Sequence, residues 1–389
     1  MKTRKRHSKH SKHKRHSKHS KHSKHKRHKK AGTKSKISMM IASGGQGCIY
    51  HEIPCKGKQR NTDSALISKI SFHPTSCQRE FKMDQKIRTI KNYGDWALVW
   101  DVYCQSPPYK TLKQYMDIDI CLAKRTLHVK DTDTFHMLTG KHGGDTYHAK
   151  CVTLLTKNAF ATHSSFANAI MKALSPLQFI FVGVGELHAH KLVHGDMSVR
   201  NVVVQDTHSR LIDFGLANEF SKQEEIERRM SFLLEHTDKI YDAYPYDYLY
   251  CRGASHKDKL ADELRGMPLD IYRDYHEDYI RVHECILGRR DVNHTLMTYM
   301  KHILDGVVKP STSKVIHALD SYSLGIMLPT MIHDMAKKHK ISWSHVKSLC
   351  SHKDLKPVFD LLREMTEFLS EKRLLAHHAY PRFCEICEI

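Results

Sequence analysis

Apolar and polar positions separate most sharply between Ser175 and Gly215. "SPLQFIFVGVGELHAH" places Leu177, Phe181, Val184 and Leu187 at helical spacing on one face, which predicts a helix. Ser175 suits its N-cap, and Pro176 its first position. The stretch "LVHGDMSVRNVVV" follows. A β-branched run rarely closes a surface loop, and a buried strand rarely opens on so many polar groups. The pattern predicts a polar loop held between the helix and a short buried strand, Val202 to Val204. "QDTHS" then turns the chain, and "RLIDFG" offers a second strand. The resulting hairpin carries Asp196 and Asn201 at one mouth and Asp213 at the other. Polar groups on a loop fixed by rigid elements are where chemistry tends to sit.

No run of about 18 consecutive apolar residues occurs, so no membrane span is expected. The cationic start leads into no long apolar region, which argues against a secretory signal.

The net charge of +21 over 389 residues suggests a nucleic-acid binder until the charge is located. Residues 1 to 36 hold 17 Lys and Arg and no acid, leaving the remaining 353 residues nearly neutral at +4. Histidine recurs every third residue from His7 to His28 in "HSK" and "HKR" units. Nothing in this repeat can form a core, so a disordered basic tail is expected. It is either a solvated polycation or a tether for nucleic acid or acidic protein. Metal binding by its histidines is the weaker idea.

The 11 cysteines are an odd, dispersed set, which predicts reduced thiols in a cytosolic or nuclear setting. The terminal Cys384 and Cys387, near His377 and His378, offer four zinc-ligand types at irregular spacing; ordinary packing competes with a metal site.

"HGDMSVRN" resembles the catalytic loop of protein kinases, H-R-D-x-x-x-x-N, and "DFG" at Asp213 to Gly215 matches the metal-binding motif that follows it. The resemblance covers about residues 38 to 380. It implies an α+β, two-lobed protein-kinase-like fold: a small β-rich N-lobe over about 38–142 and a larger helical C-lobe over about 143–389, within one domain, 37–389. It also implies use of ATP and Mg2+. Asp196 would take the acceptor hydroxyl proton, Asn201 and Asp213 would hold the metal, and Ser198 would lie in the catalytic loop.

Other stretches fit the same pattern. "IASGGQGCIY" resembles the glycine-rich loop, with Ala42 in the first glycine position and Gly44, Gly45 and Gly47 lining the phosphates. Ile41, Ile49 and Val203 would sandwich adenine. "ALISKI" makes Lys69 the phosphate-binding lysine. "REFKMDQKI" offers Glu80 as its ion-pair partner, with Asp84 as the alternative because the Lys69–Glu80 spacing is short. "FHMLTGKHGGD" resembles the gatekeeper and hinge: Leu138, then the backbone of Thr139 and Lys141, with Asp145 reaching the ribose. Gly143 and Gly144 fit a plain turn equally well.

"ALDSYSLGIML" resembles the helix whose Asp320 anchors the catalytic loop. "YPYDYLY" stands in the A-P-E position, with Asp247 replacing Glu and Arg373 as its partner. The segments at about 97–133 and 252–312 read as insertions. The second of these, with the Tyr-Pro form of the motif, is similar to kinases of large nucleocytoplasmic DNA viruses, which implies a cytoplasmic or nuclear location in a host cell, or association with virions.

Two departures bear on substrate and control. Gly195 stands where an arginine usually reads an activation-loop phosphate. Ser198 replaces the lysine of serine/threonine kinases, while Arg200 is reminiscent of tyrosine kinases. The expected activity is phosphoryl transfer to Ser/Thr hydroxyls of proteins. The alternatives are a small-molecule phosphotransferase, which "HGD" also resembles, and a catalytically dead scaffold binding nucleic acid.

Overall fold

The computed structural model describes residues 40–43, 47–58, 65–123, 128–222, 244, 245, 247, 277–305, 307 and 311–389. The basic tail, Gly44, Gly45 and nearly half of the segment expected at 252–312 lie outside the described residues.

Short runs rich in Ile, Leu and Tyr near the start of the chain pair into one antiparallel sheet. Its strands are β1 (Met40–Ser43), β2 (Gly47–His51), β3 (Leu66–Ser71), β4 (Val102–Gln105) and β5 (His136–Lys141), in the order β1-β2-β3-β5-β4. Lys69 lies opposite Ile49 on one side and opposite Leu138 on the other. Directly paired residues share a face of a sheet, so these three point the same way. Helix α1 (Pro74–Ile87) begins soon after β3, with proline in its first turn, and buries Cys77, Glu80, Asp84 and Ile87. Gly47 permits a close approach at the turn of β2, since a Cβ there would come within 2.1 Å of the Ile70 carbonyl oxygen.

The segment expected to be an insertion at 97–133 instead completes this sheet. It supplies β4 and two short helices, α2 (Tyr109–Tyr115) and α3 (Ile118–Ala123). Ile53, Leu112, Met116, Ile118 and Met137 form the apolar cluster beneath it. Two disulfides, Cys48–Cys121 and Cys55–Cys104, fasten it to β2 and the strand's continuation. The expectation of reduced thiols is therefore corrected for these four residues. Dispersed spacing along a chain says nothing about which sulfurs a sheet brings together.

The C-terminal region is helical and opens with α4 (Tyr147–Leu154). Thr162 caps the chain reversal before α5 (His163–Leu174) with a reciprocal bond to Ser165. Helix α6 (Gln178–Ala189) continues the same rod through a tight 3-10 turn at Ser175–Leu177. Ser175 has helical φ and ψ and is the C-cap of α5 rather than the N-cap of α6, which corrects the expected helix start. Pro176 is tolerated because it sits in the first turn of a new segment. Leu177, Phe181, Val184 and Leu187 are buried together as the spacing predicts. The 27-residue rod is long and apolar enough to cross a membrane by length and composition, yet 56% of its most apolar window is buried inside the fold, as in a core helix.

A second long helix, Leu319–His339, is enclosed over most of its length, from Asp320 to Ala336. Around these two rods lie the helices Trp343–Cys350, Lys356–Met365 and Ala376–Cys387. Residues Glu277–Arg281 and Val292–Leu304 are also helical. A β-rich N-terminal part and a helical C-terminal part thus form the two-lobed, kinase-like α+β fold.

Candidate active site

The loop from His194 to Asn201 hangs between the end of α6 and the hairpin Val202–Gln205/His208–Leu211, whose strands pair Val202 with Leu211. Buried valines hold the hairpin in the core, so the polar loop stays at its mouth. Asp320, fully buried, grips the loop from beneath: its Oδ2 accepts from the His194 amide at 2.6 Å and its Oδ1 from the Gly195 amide at 3.1 Å. Burial raises the pKa of Asp320, against the lowering by His194 and the two amides. Gly195 has φ of +74°, a conformation that disfavours the arginine expected from the resemblance.

Asn201 closes the loop on itself, donating from Nδ2 to the Asp196 carbonyl oxygen at 2.7 Å and to Asp196 Oδ2 at 3.0 Å. Asp196 is shifted up to about 7, by burial first and by the negative charge of Asp213 second. Such a carboxylate is poised to accept a proton near neutral pH. Ser198 lies buried in the loop, and its carbonyl accepts from the Asn201 amide at 2.9 Å.

Asp213 adopts the left-handed conformation, φ 61° and ψ 65°, which is uncommon for a residue with a Cβ and recurs at functional sites. Its Oδ1 receives Lys69 Nζ at 3.0 Å, and the same ammonium meets Glu80 Oε2 at 2.8 Å and Oε1 at 2.9 Å. Lys69 therefore joins β3, α1 and the Asp213 loop. Burial works against its charge, but the two carboxylates outweigh it and hold the ammonium above its ordinary range. Burial likewise pushes Asp213 up, but Lys69 more than offsets it and keeps the carboxyl below its ordinary value. The partner of Lys69 is Glu80; Asp84 instead accepts from the Trp100 amide at 3.1 Å.

The remaining expected nucleotide contacts surround this core. Ile41 is 41% exposed at the sheet edge, Ile49 is half-buried, and Val203 is buried opposite Thr146. Leu138 is fully buried beside Lys69. Thr139 departs from its expected place in an open hinge. It is a strand residue, its carbonyl accepting from the Asp101 amide at 2.9 Å and its hydroxyl lying 3.3 Å from that of Ser68. Pairing continues through Lys141, opposite Leu66, to the His142 amide on the Ala65 carbonyl, so the linker starts there. Gly144, at φ +91°, turns the chain, and Asp145 stands exposed opposite Val204.

Three contacts went unread in the sequence. Arg79 donates to the Gly215 carbonyl at 2.9 Å, Tyr244 donates to the Gly195 carbonyl at 2.8 Å, and the Trp100 indole reaches Glu80. Two of these end on backbone carbonyls, which leave no residue-type signal.

Oxygen donors suited to a hard divalent ion are present, the Asp213 carboxylate and the Asn201 carboxamide. Among the described residues no three His, Cys, Asp or Glu side chains converge to hold a metal by themselves. At the C-terminus the rings of His377 and His378 lie 4.0 Å apart and tilted by 54°, and the thiols of Cys384 and Cys387 are both half-buried. A cavity of about 420 Å3 is lined by Phe220, Lys314, His317 and Arg373 among others, and by none of Lys69, Asp196, Asn201 and Asp213.

Residues 153–234 match the family model described as protein tyrosine and serine/threonine kinase. That stretch contains Asp196, Asn201 and Asp213, and the match supports the protein kinase superfamily and phosphotransferase activity in general. The chain is also 39% identical over 91 residues to a protein of Methanospirillum hungatei JF-1 described as "Probable bifunctional tRNA threonylcarbamoyladenosine biosynthesis protein". The similarity covers 23% of this chain and 17% of that protein.

Proposed function

We propose that the chain is an ATP- and magnesium-dependent protein kinase that phosphorylates Ser or Thr hydroxyls of proteins. The observation carrying this reading is the junction at Lys69, which ties Glu80 to Asp213 while Asp196 and Asn201 stand bonded to each other on the neighbouring loop. Lys69 is placed to neutralise phosphate charge. Asp196, held by Asn201, orients the acceptor hydroxyl and takes its proton. Asp213 and Asn201 would hold magnesium, which supplies charge neutralisation on the phosphates when bound. Catalysis of this kind is positioning and electrostatics. All four polar groups are present, which weighs against a dead scaffold. The affiliation with kinases of large nucleocytoplasmic DNA viruses is part of the proposal and rests on the sequence features alone.

A second reading, a phosphotransferase with a non-protein acceptor, is favoured by the similarity to the archaeal tRNA-modification protein and by the "HGD" form of the loop. Labelled ATP and magnesium should be offered with basic proteins, with tRNA and with small alcohols in parallel. Label on Ser or Thr of a protein is the expected result, and label on a small alcohol or tRNA alone would replace the first reading with the second. Asp213→Asn should abolish transfer while the melting temperature changes little; retained turnover would remove Asp213 from the metal site.

A further inference from the structure

Helix α1 presents Glu80, Asp84 and Arg88 at successive i, i+4 positions, so all three lie on one face. All three meet a single residue. The Trp100 indole Nε1 donates to Glu80 Oε1 at 2.8 Å, the Trp100 amide donates to Asp84 Oδ2 at 3.1 Å, and Arg88 Nη2 donates to the Trp100 carbonyl at 3.2 Å. Glu80 and Asp84 are each 1% exposed. Glu80 Oε1 also accepts from Lys69, so the indole and the ammonium share one carboxylate oxygen. A bond to a buried ionised group is among the stronger hydrogen bonds in a protein.

We propose that Trp100 is a positioning residue that fixes α1, and through Glu80 fixes Lys69, in the arrangement phosphoryl transfer requires. The inference rests on reading the site as a phosphotransferase. Gly140, on β5, makes room for the ring: a Cβ there would lie 3.2 Å from Trp100 Cε3. The opposite flank of the helix is held by Arg79 on the Gly215 carbonyl and by an ion pair between Lys86 and Glu219 at 2.8 Å. With glycine at position 195, the placement of α1 rests on these internal contacts. Trp100 supplies the one that ends on the carboxylate paired with Lys69.

Packing alone would also retain a tryptophan here, and two variants of the full chain separate the roles. Trp100→Phe keeps a ring beside Gly140 and the backbone bonds but loses the donor. It should lower kcat about tenfold, the scale of one charge-assisted bond, and raise the KM for ATP about threefold, with a melting temperature near wild type. Trp100→Ala should add a clear loss of melting temperature. Wild-type kcat and KM in Trp100→Phe would overturn the proposal. So would a fall in kcat with unchanged KM and a lowered melting temperature, the pattern of lost folded protein. If the wild-type chain transfers phosphate to no acceptor, the kinase reading fails, and hydrogen exchange in α1 then tests Trp100 independently. Faster exchange at residues 80–88 in Trp100→Phe supports its hold on the helix, and unchanged exchange overturns it.

Discussion

Arg373 and Asp247, 126 residues apart, form an ion pair from which water is wholly excluded, Nη2 lying 3.1 Å from Oδ2. The Ser370 amide adds a bond to the same carboxylate at 2.9 Å, and Arg373 Nε donates to the Glu367 carbonyl at 2.9 Å. Burial raises the pKa of Asp247, against the attraction of Arg373. Removing one partner strands the other charge in the interior. Arg373→Ala should therefore destabilise the chain by about 3–5 kcal/mol, whereas Asp247→Leu with Arg373→Met should cost less than the two single losses together. Denaturant unfolding of Arg373→Ala, the singles Asp247→Leu and Arg373→Met, and their double measures this, and a cost under about 1 kcal/mol for Arg373→Ala would contradict it.

The two disulfides close long loops, of 73 and 49 residues in sequence separation. Each should contribute about 2–4 kcal/mol by restricting the unfolded chain. Protein purified without reductant should keep four cysteines from alkylation under denaturing conditions, and reductant should lower its melting temperature. Alkylation of all 11 without reductant would show that the pairs do not form.

His188 is buried, and neither of its ring nitrogens has a hydrogen-bond partner. Burial, then the neighbouring His317 and His377, lowers its pKa from 6.5 to about 3. The unfolded chain thus binds a proton more readily than the folded one between those values. Stability should be intact above pH 6.5 and fall progressively as the pH drops toward 3. His188→Phe should flatten that slope and match or exceed wild-type stability at pH 7, because an unsatisfied polar group is removed. Unfolding measured across this range decides; an unchanged slope would clear His188 of the effect.

The basic tail gives a prediction from charge alone. Deleting residues 1–36 should leave turnover on a short peptide intact and sharply weaken retention on DNA or RNA at low salt, since 17 positive charges are lost. Equal salt slopes for deletion and full-length protein would exclude the tether. Phosphorylation at Ser8, Ser11, Ser17, Ser20 and Ser23 should act in the same direction, each phosphate offsetting about 1.5 to 2 charges.

The sequence by itself determined what is local in the chain. Asp196 and Asn201 lie in one loop, and the three consecutive buried valines that follow hold that loop at the mouth of the hairpin, so spacing sufficed. Lys69 and Glu80 are one strand and one helix apart, and the motif resemblance supplied Asp320 and the Arg373–Asp247 partnership. Tertiary structure decided what depends on which surfaces meet. The choice of Glu80 over Asp84 turned on Trp100, which occupies Asp84 with its amide. The fate of four cysteines turned on a sheet that brings Cys48 to Cys121 and Cys55 to Cys104. The start of α6 turned on packing against the core, which carries helical geometry straight through Ser175 and Pro176. Propensity and spacing act over a few residues, whereas a hydrogen bond or a sulfur pairing is settled by three-dimensional proximity, which the order of residues alone does not encode for any single pair.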